Sequence, residues 1–252
     1  MVGVEGDPGG AAAGGLTGTL REAYDSAAPA WTDGAERVYQ PLAEALVGQV
    51  RVAGRRVLDL GAGTGVTGRA ALAAGARGVV AADALRLPFR DHSFDLVLAA
   101  FCLGHLPSLA AGLREARRVG AEIAASSFAP GWTSPVKEAV ETALRPFGYL
   151  PPAWYLRFKQ ETEPAAGDPE VLAAQLAAAG FDRVRISPVA VSTGVSAPAE
   201  LAAWRLGMAH VAPFVSSLPA RDAVAVRQAA QRAVTASAAG PLTVSLLVTI
   251  AS

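Results

Sequence analysis

The run with the clearest chemical content is VLDLGAGTG at Val57–Gly65. It follows a short apolar segment and precedes a helical segment of small residues. Gly61 permits a tight turn, while Gly63 and Gly65 allow a ligand to approach the backbone. The first turn of the following helix supplies unpaired backbone N–H groups. The pattern therefore predicts a ligand-binding loop between a strand and a helix.

The same run argues against a dinucleotide cofactor. The dinucleotide fingerprint needs a further glycine at position 66, where this chain has Val66. Asp59, in the strand just before the turn, would also place a negative charge near a bound phosphate. An oxidoreductase that uses a nucleotide cofactor is therefore disfavoured.

The elements that must position this loop alternate along the chain. Short apolar segments predict strands at Arg56–Leu60, Gly78–Ala82, Phe94–Ala99, Ala121–Phe128, Phe181–Val189 and Leu242–Ala251. Periodic or capped segments predict helices at Leu20–Trp31, Glu36–Val47, Val66–Ala76, Leu109–Val119, Pro135–Leu144, Val171–Ala179, Pro198–Gly207 and Arg221–Ala236. The alternation predicts an α/β fold, a mostly parallel sheet covered by helices on both faces, with a helical insertion before the last strand.

Composition favours a small-molecule substrate. The chain has 252 residues, 52% of them hydrophobic and 17% charged, which is enough for a large buried core. Basic and acidic residues number 22 each, so no net charge recruits nucleic acid or an anionic membrane. The single cysteine, Cys102, excludes an internal disulfide and a cysteine-based zinc site, and we predict no metal centre.

The ends of the chain and its compartment follow from local composition. Met1–Gly15 is rich in glycine and alanine and has acids where a secretory signal has a basic segment, which predicts a disordered leader. No run reaches the ~18 to 20 apolar residues that a membrane helix needs. We expect residues 16–252 to form one cytoplasmic domain, with helical cap elements at about 135–160 and 196–238.

Several motifs in order resemble one enzyme family. They are VLDLGAGTG, DALRLPF at Asp83–Phe89, SFDLV at Ser93–Val97, FCLGHLP at Phe101–Pro107 and AGFDRV at Ala179–Val184. From about Tyr24 to its end, the chain resembles the class I S-adenosylmethionine-dependent methyltransferases, particularly the small-molecule type related to quinone-biosynthesis enzymes. The resemblance implies a Rossmann-like fold, N-terminal helices over the cofactor, a helical cap on the acceptor side, and S-adenosylmethionine as cofactor.

The resemblance also implies which residues bind the cofactor. Asp59 and the backbone of the glycine loop (Gly61, Ala62, Gly63, Thr64 and Gly65) would hold the methionine moiety. Asp83 with Ala84 would meet the adenine edge, Phe101 would line the pocket, and Tyr24 would contact the cofactor carboxylate. The alternative for the loop is a glycine turn kept for packing alone.

The chain departs from the family between the first and third of its strands. The family has two acids there, one for the ribose and one near the adenine, separated by a helix and a strand. Asp83 lies 18 residues after Gly65, the spacing of a ribose acid, but its neighbours are those of the adenine acid. We therefore expect a fold with one strand and one helix fewer than usual. Asp83 would then bind the ribose and also lie near the adenine.

A base and an aromatic acceptor site are the remaining expectations. His105 follows a core strand and is the candidate catalytic base, although it could instead cap or pack the following helix. Aromatic residues gather in the segments expected on the acceptor side: Trp154, Tyr155, Phe158, Trp204 and Phe214. His210 is expected to be a surface or capping histidine.

The predicted function is methyl transfer to a small, largely apolar acceptor at O, N or C. The alternative is a methyltransferase-like protein that has lost methyl transfer and acts as a binding or accessory protein or as a cofactor-independent biosynthetic enzyme. The oligomeric state stays open.

Overall fold

The sheet of this protein has six strands, in the order β2-β1-β3-β4-β6-β5. The computed structural model describes residues 9–82 and 87–252. The strands are β1 (Arg56–Leu60), β2 (Gly78–Ala82), β3 (Leu96–Ala100), β4 (Ile123–Phe128), β5 (Val184–Ser192) and β6 (Thr243–Ala251). The first four pair in parallel, and β6 runs antiparallel to both β4 and β5. The predicted α/β fold with a mostly parallel sheet is confirmed.

The central strands are buried on both faces, which explains their nearly continuous apolar runs. Successive side chains point to opposite faces of a strand, so Val57 joins the apolar cluster on one face and Leu58 the cluster on the other. Helices cover both faces, at α1 (Gly9–Ala30), α2 (Glu36–Val47), α3 (Val66–Ala73), α4 (Leu109–Val119), α5 (Pro135–Leu144), α6 (Ala153–Arg157), α7 (Glu163–Gly167), α8 (Pro169–Ala178), α9 (Pro198–Leu206), α10 (Ala212–Ser217) and α11 (Ala220–Ala236).

The predicted shortening lies between β2 and β3. The described residues of this connection, 87–95, contain no helix, and β2 is the sheet edge beside β1. Arg118 of α4 holds the connection by donating hydrogen bonds to the carbonyl oxygens of Leu87 and Phe89 and by pairing with Asp91. Glu115 accepts a hydrogen bond from the backbone N–H of Leu87. Side chains of one helix therefore anchor the crossover to the sheet.

The N-terminal helices form one nearly continuous rod. A π-helical turn, Trp31–Ala35, joins α1 to α2 and presses against α9. A Cβ at Gly34 would lie 2.3 Å from the carbonyl oxygen of Ala203, so this contact requires glycine. Residues 1–8 of the predicted leader lie outside the described residues, and α1 begins at Gly9, within the segment predicted as leader.

The helices of the predicted cap lie in two insertions. One, α5 to α8, separates β4 from β5, and the other, α9 to α11, separates β5 from β6. Asp168 caps α8 by accepting hydrogen bonds from the N–H groups of Glu170 and Val171. The short helices α6, α7 and α10 are not predicted from the sequence because they lack a full amphipathic period.

Four strands have boundaries that differ from the predictions. β4 begins at Ile123, two residues after the predicted start, and β6 begins at Thr243, one residue after it. β5 begins at Val184 and not at Phe181, because Phe181 follows α8 and packs into the core beneath it. β5 extends to Ser192 because the antiparallel ladder with β6 continues to Thr243. β3 begins at Leu96, two residues after the predicted start at Phe94, which forms a single bridge with Gly120. Among the described residues, no helix combines the length and apolar character needed to cross a bilayer.

Candidate active site

The glycine loop lies where the carboxyl ends of the parallel strands meet. Gly61 has φ +67° and donates a hydrogen bond to the carbonyl oxygen of Ala82, at the end of β2. A Cβ on Gly61 would lie 2.5 Å from Sγ of Cys102, just after β3. Both the backbone conformation and this close approach require glycine.

The outer side of the loop leaves room for a ligand. Gly63 and Gly65 have φ values of +53° and +82°, and a Cβ on Gly63 would meet nothing within 4 Å. Gly65 precedes the first turn of α3 and provides no side-chain cap, so backbone N–H groups there remain available to a ligand.

Asp59 lies beneath this loop with an incomplete set of partners. It is 2% exposed, and its Oδ2 has no hydrogen-bond partner among the described residues. Burial raises the pKa of Asp59 to about 6, and the backbone N–H of Gly68 opposes part of that shift. A buried carboxyl oxygen without a donor is unusual in a protein and fits a site that binds a cationic or hydrogen-bonding group.

The second helix reaches across the loop. Glu36 of α2 pairs with Arg69 of α3, and it also accepts a hydrogen bond of 3.5 Å from the hydroxyl of Thr64. Arg69 in turn donates to the carbonyl oxygen of Thr64 at 2.8 Å. The N-terminal helices therefore contact the predicted cofactor loop.

Phe101 follows β3 in a strained backbone conformation. Its φ is +53°, which is rare for a bulky residue, and its N–H donates to the carbonyl oxygen of Ser126 in β4. Its ring centroid lies 5.1 Å from that of Tyr39 and 4.8 Å from that of Phe128. The strain therefore places an aromatic ring between α2 and the end of β4.

His105 and Tyr24 form a pair. The hydroxyl of Tyr24 lies 3.0 Å from Nε2 of His105, and the imidazole stacks on Phe158 with ring centroids 4.3 Å apart. Nδ1 of His105 is buried and has no partner among the described residues. Burial lowers the pKa of His105 to about 4, so the ring is neutral at pH 7.

A charged cluster under the cap is not predicted from the sequence. Arg205 is 3% exposed and donates to Glu141 at 3.0 Å and to Nε2 of His210 at 3.3 Å. His210 is 5% exposed and stacks on Tyr155 with centroids 3.7 Å apart, so the expectation of a surface or capping histidine is wrong. Burial lowers the pKa of His210 to about 2, with further lowering by Arg205.

Lys137 lies beside this cluster, against two stacked aromatic rings. Its Nζ is 4.7 Å from the ring centroid of Phe128 and 4.1 Å from that of Trp132. Burial, followed by the positive charges of Arg205 and Lys159, lowers the pKa of Lys137 to about 7. No sequence signal identifies Lys137 as functional, because the scarcity of lysine in this arginine-rich chain carries no chemical information.

The unpartnered polar atoms of the described core lie around these residues. Besides Asp59 and His105 they are Oγ of Ser126, Nε1 of Trp204 and Nε of Arg205. Buried polar atoms in proteins normally have partners, so their grouping near the loop and the cap suits a site completed by ligands. The donors, the open glycine loop and the buried carboxylate thus fit a cofactor with a methionine-like end.

The structure brings most of the predicted site residues to one end of the sheet. Tyr24 meets His105, Phe101 lies among the aromatic rings, and Asp59 lies under the glycine loop. Asp83 and Ala84 lie outside the described residues, so their roles remain predictions. The side chain of Trp204 is 1% exposed and belongs to the core. No cluster of His, Cys, Asp and Glu suited to a metal ion occurs within residues 9–82 and 87–252.

Comparison with known proteins agrees with this geometry. Residues 66–122 match the model of a methyltransferase domain family. A demethylmenaquinone methyltransferase of Corynebacterium urealyticum is 33% identical over 160 residues, which cover 52% of this chain and 69% of that protein. A solved structure from Anabaena variabilis, described as a methyltransferase of an antibiotic biosynthesis pathway, has a TM-score of 0.56 at 16% identity, covering 86% of this chain and 99% of that one.

The fold, the sequence relationship and the chemistry of the glycine loop agree on one family. The expected cofactor, S-adenosylmethionine, is the methyl donor of that family. This chain belongs to the class I S-adenosylmethionine-dependent methyltransferases.

Proposed function

We propose that this methyltransferase acts on a small, largely apolar acceptor that binds between the strand ends and the helical cap. The observation that carries this proposal is a series of aromatic contacts that runs from the π-helical turn after α1 to the segment between β4 and α5. Ring centroids 4.6 to 5.1 Å apart connect Trp31, Tyr39, Phe101, Phe128 and Trp132 in that order. Such a lining favours an apolar or planar acceptor.

The cofactor side of the proposed site is the glycine loop. Asp59 and the backbone of Gly61–Gly65 would hold the methionine moiety, with Phe101 beside it. Asp83 and Ala84 are proposed for the adenosine end from the sequence motif alone. When bound, S-adenosylmethionine supplies a methyl group that is already activated on a sulfonium. The chain's own residues then need only to align the acceptor and exclude water.

We assign His105 a packing role in preference to that of a general base. Its pKa of about 4 makes it a weak base near pH 7, and Tyr24 and Phe158 occupy one ring nitrogen and one ring face. The hydrogen bond to Tyr24 joins α1 to the segment after β3. Through it, His105 would keep the N-terminal helix seated over the site.

The related sequence supports an apolar acceptor. The Corynebacterium urealyticum protein is named a demethylmenaquinone methyltransferase, so its acceptor is a quinone. At 33% identity, two related enzymes can methylate different acceptors. The transfer assay identifies which atom is methylated.

Calorimetric titration with S-adenosylmethionine and S-adenosylhomocysteine tests the cofactor site. We expect micromolar dissociation constants for both. Absence of binding up to millimolar ligand would contradict the assignment of the cofactor loop. A transfer assay with methyl-labelled cofactor and a panel of phenols, amines and quinols then tests the acceptor. Cofactor binding without transfer to any member would support the alternative of an accessory protein.

A further inference from the structure

The charged residues under the cap do not balance. Three cations, Lys137, Lys159 and Arg205, lie near one another. Only two carboxylates, Glu141 and Glu163, act on the charge of Lys137. Lys159 pairs with Glu163, and Arg205 pairs with Glu141. Each carboxylate therefore has its cation, and Lys137 is the cation that remains without an ion pair among the described residues.

The position of Lys137 in its helix also disfavours its charge. Lys137 lies in the first turn of α5 (Pro135–Leu144), where Ser134 accepts the hydrogen bond of the N-cap. The amino end of a helix carries partial positive charge, so a cation there is unfavourable and an anion is favourable. Burial and the charges of Arg205 and Lys159 also disfavour the ammonium and lower its pKa, while Glu163 and Glu141 oppose part of that shift.

A second observation comes from Arg205. Its side chain is more than nine-tenths buried, and its Nε has no hydrogen-bond partner among the described residues. A guanidinium can only donate hydrogen bonds, so an unpartnered buried Nε–H calls for an acceptor atom. Lys137 and Arg205 are close enough for one charge to affect the pKa of the other. Lys137 therefore lacks an ion-pair partner among the described residues, and the Nε–H of Arg205 lacks an acceptor oxygen even though another nitrogen of the same guanidinium pairs with Glu141.

We propose that Lys137, assisted by Arg205, binds a carboxylate of the acceptor, whose planar apolar part packs beside Phe128 and Trp132. This inference rests on the proposed function, since it places the acceptor in the same site and narrows it to aromatic or conjugated carboxylic acids. A carboxylate would give Lys137 its missing counter-ion and would suit the amino end of α5. The two rings supply the apolar surface next to it.

Two probes of matched shape test whether the proposed site prefers an anionic ligand. Naphthalene-2-carboxylate and the neutral naphthalene-2-carboxamide have nearly the same shape, so their affinities differ mainly by the anionic group. Calorimetry at pH 6.5, on the full chain saturated with S-adenosylhomocysteine, should show at least ten-fold tighter binding of the carboxylate. Equal affinities, or no binding of either probe, would overturn the proposal. Prior binding of S-adenosylhomocysteine separates that failure from failure of the proposed function.

Variants test whether the preference for the carboxylate over the carboxamide depends on Lys137. Lys137→Met keeps the aliphatic stem and should abolish the ten-fold preference, whereas Lys137→Arg should retain it. Arg157→Met, which removes an exposed cation of α6 in the same cap, should leave it unchanged. Loss of preference in Arg157→Met, or its persistence in Lys137→Met, contradicts the assignment to Lys137.

The wild-type chain offers an independent readout that needs no variant. It has only two lysines, so trinitrobenzenesulfonate modification can be assigned by peptide mass. At pH 7, Lys137 should react faster than Lys159, because its pKa of about 7 leaves much of its amine unprotonated, whereas Lys159 is held in an ion pair with Glu163. Naphthalene-2-carboxylate should slow this reaction, and the carboxamide should not. Equal protection by both probes would overturn the proposal.

Discussion

The hydroxyl of Tyr24 lies 3.0 Å from Nε2 of His105, although the two residues are 81 positions apart in the chain. Desolvation raises the pKa of Tyr24 and lowers that of His105, so both groups are neutral at pH 7. This neutral pair ties the N-terminal helix to the segment that follows β3. It explains how a distant helix can be held over the ligand-binding edge.

The Tyr24–His105 pair should matter more for stability than for chemistry. We expect His105→Ala to lower the free energy of unfolding by about 1 to 3 kcal/mol and kcat by less than ten-fold, because the ring packs on Phe158. Tyr24→Phe should cost about 1 to 2 kcal/mol by leaving Nε2 without a partner. Urea denaturation and steady-state kinetics measure both effects. A drop in kcat of ten-fold or more in His105→Ala, with stability unchanged, would restore the general-base role.

Asp59 should contribute to cofactor affinity. Asp59→Asn keeps the shape but removes the charge that would accept hydrogen bonds from the methionine ammonium. The loss of a charged hydrogen bond costs about 1.5 to 3 kcal/mol, so the dissociation constant should rise about ten- to hundred-fold by calorimetry. Asp95→Asn is the matched control, because Asp95 pairs with Arg56 at the amino ends of β1 and β3, opposite the strand ends that carry the glycine loop. Similar affinities for both variants would show that the site is misplaced.

Asp83 should bind the adenosine end of the cofactor if this one acid contacts both the ribose and the adenine. Asp83→Asn should then weaken S-adenosylmethionine at least ten-fold while leaving the unfolding transition in place. Asp91→Asn provides a control from the same connection, since Asp91 pairs with Arg118. Unchanged calorimetric affinity in Asp83→Asn would refute the assignment made from the sequence motif.

Two glycines of the loop should respond differently to alanine. Gly61→Ala forces a methyl group into Sγ of Cys102 and strains a φ of +67°, so we expect a loss of about 2 to 4 kcal/mol of folding stability. Gly63→Ala meets no neighbour and should cost only about 1 kcal/mol. Its methyl group would nevertheless project toward the proposed ligand and should raise the cofactor dissociation constant. Equal stability of the two variants in thermal unfolding would contradict this difference.

Stability should rise with pH between pH 4.5 and 6.5. His105 and His210 have pKa values lowered to about 4 and about 2, so the unfolded chain binds more protons at these two residues in that range. Asp59 opposes them, because its raised pKa of about 6 makes the folded chain bind one more proton. The net difference is one proton, or about 1.4 kcal/mol per pH unit.

Asp59→Asn provides the internal check on that slope. The variant removes the opposing carboxyl group, so the pH dependence of the unfolding free energy should become about twice as steep. Lys137, with a pKa of about 7, titrates mainly above this range and adds to the slope only near pH 6.5. Denaturant titrations at four pH values measure the slope. A free energy that is flat or falls with increasing pH would contradict the burial of both histidines as neutral rings.

The amino-acid sequence by itself determined the elements and the loop. Local signals are sufficient there. β1 and β2 match their predicted bounds because each is a short apolar run bounded by a glycine, Gly61 after β1 and Gly78 at the start of β2. Asp168 with Pro169 defines the start of α8. The order of motifs also identified the family and the shortened half of the sheet. These features depend on neighbours within a few residues, which periodicity and turn chemistry describe well.

Only the tertiary structure decided which side chains meet. Arg205 reaches Glu141 across 64 positions, and Tyr24 reaches His105 across 81, distances in sequence over which no local pattern operates. The burial of His210 and the incomplete pairing of Lys137 follow from packing of the cap on the sheet, since desolvation depends on every element around a group. The sequence thus identified a methyltransferase and predicted its cofactor loop, while long-range packing decides which buried groups are neutral and leaves Lys137 without an ion pair among the described residues.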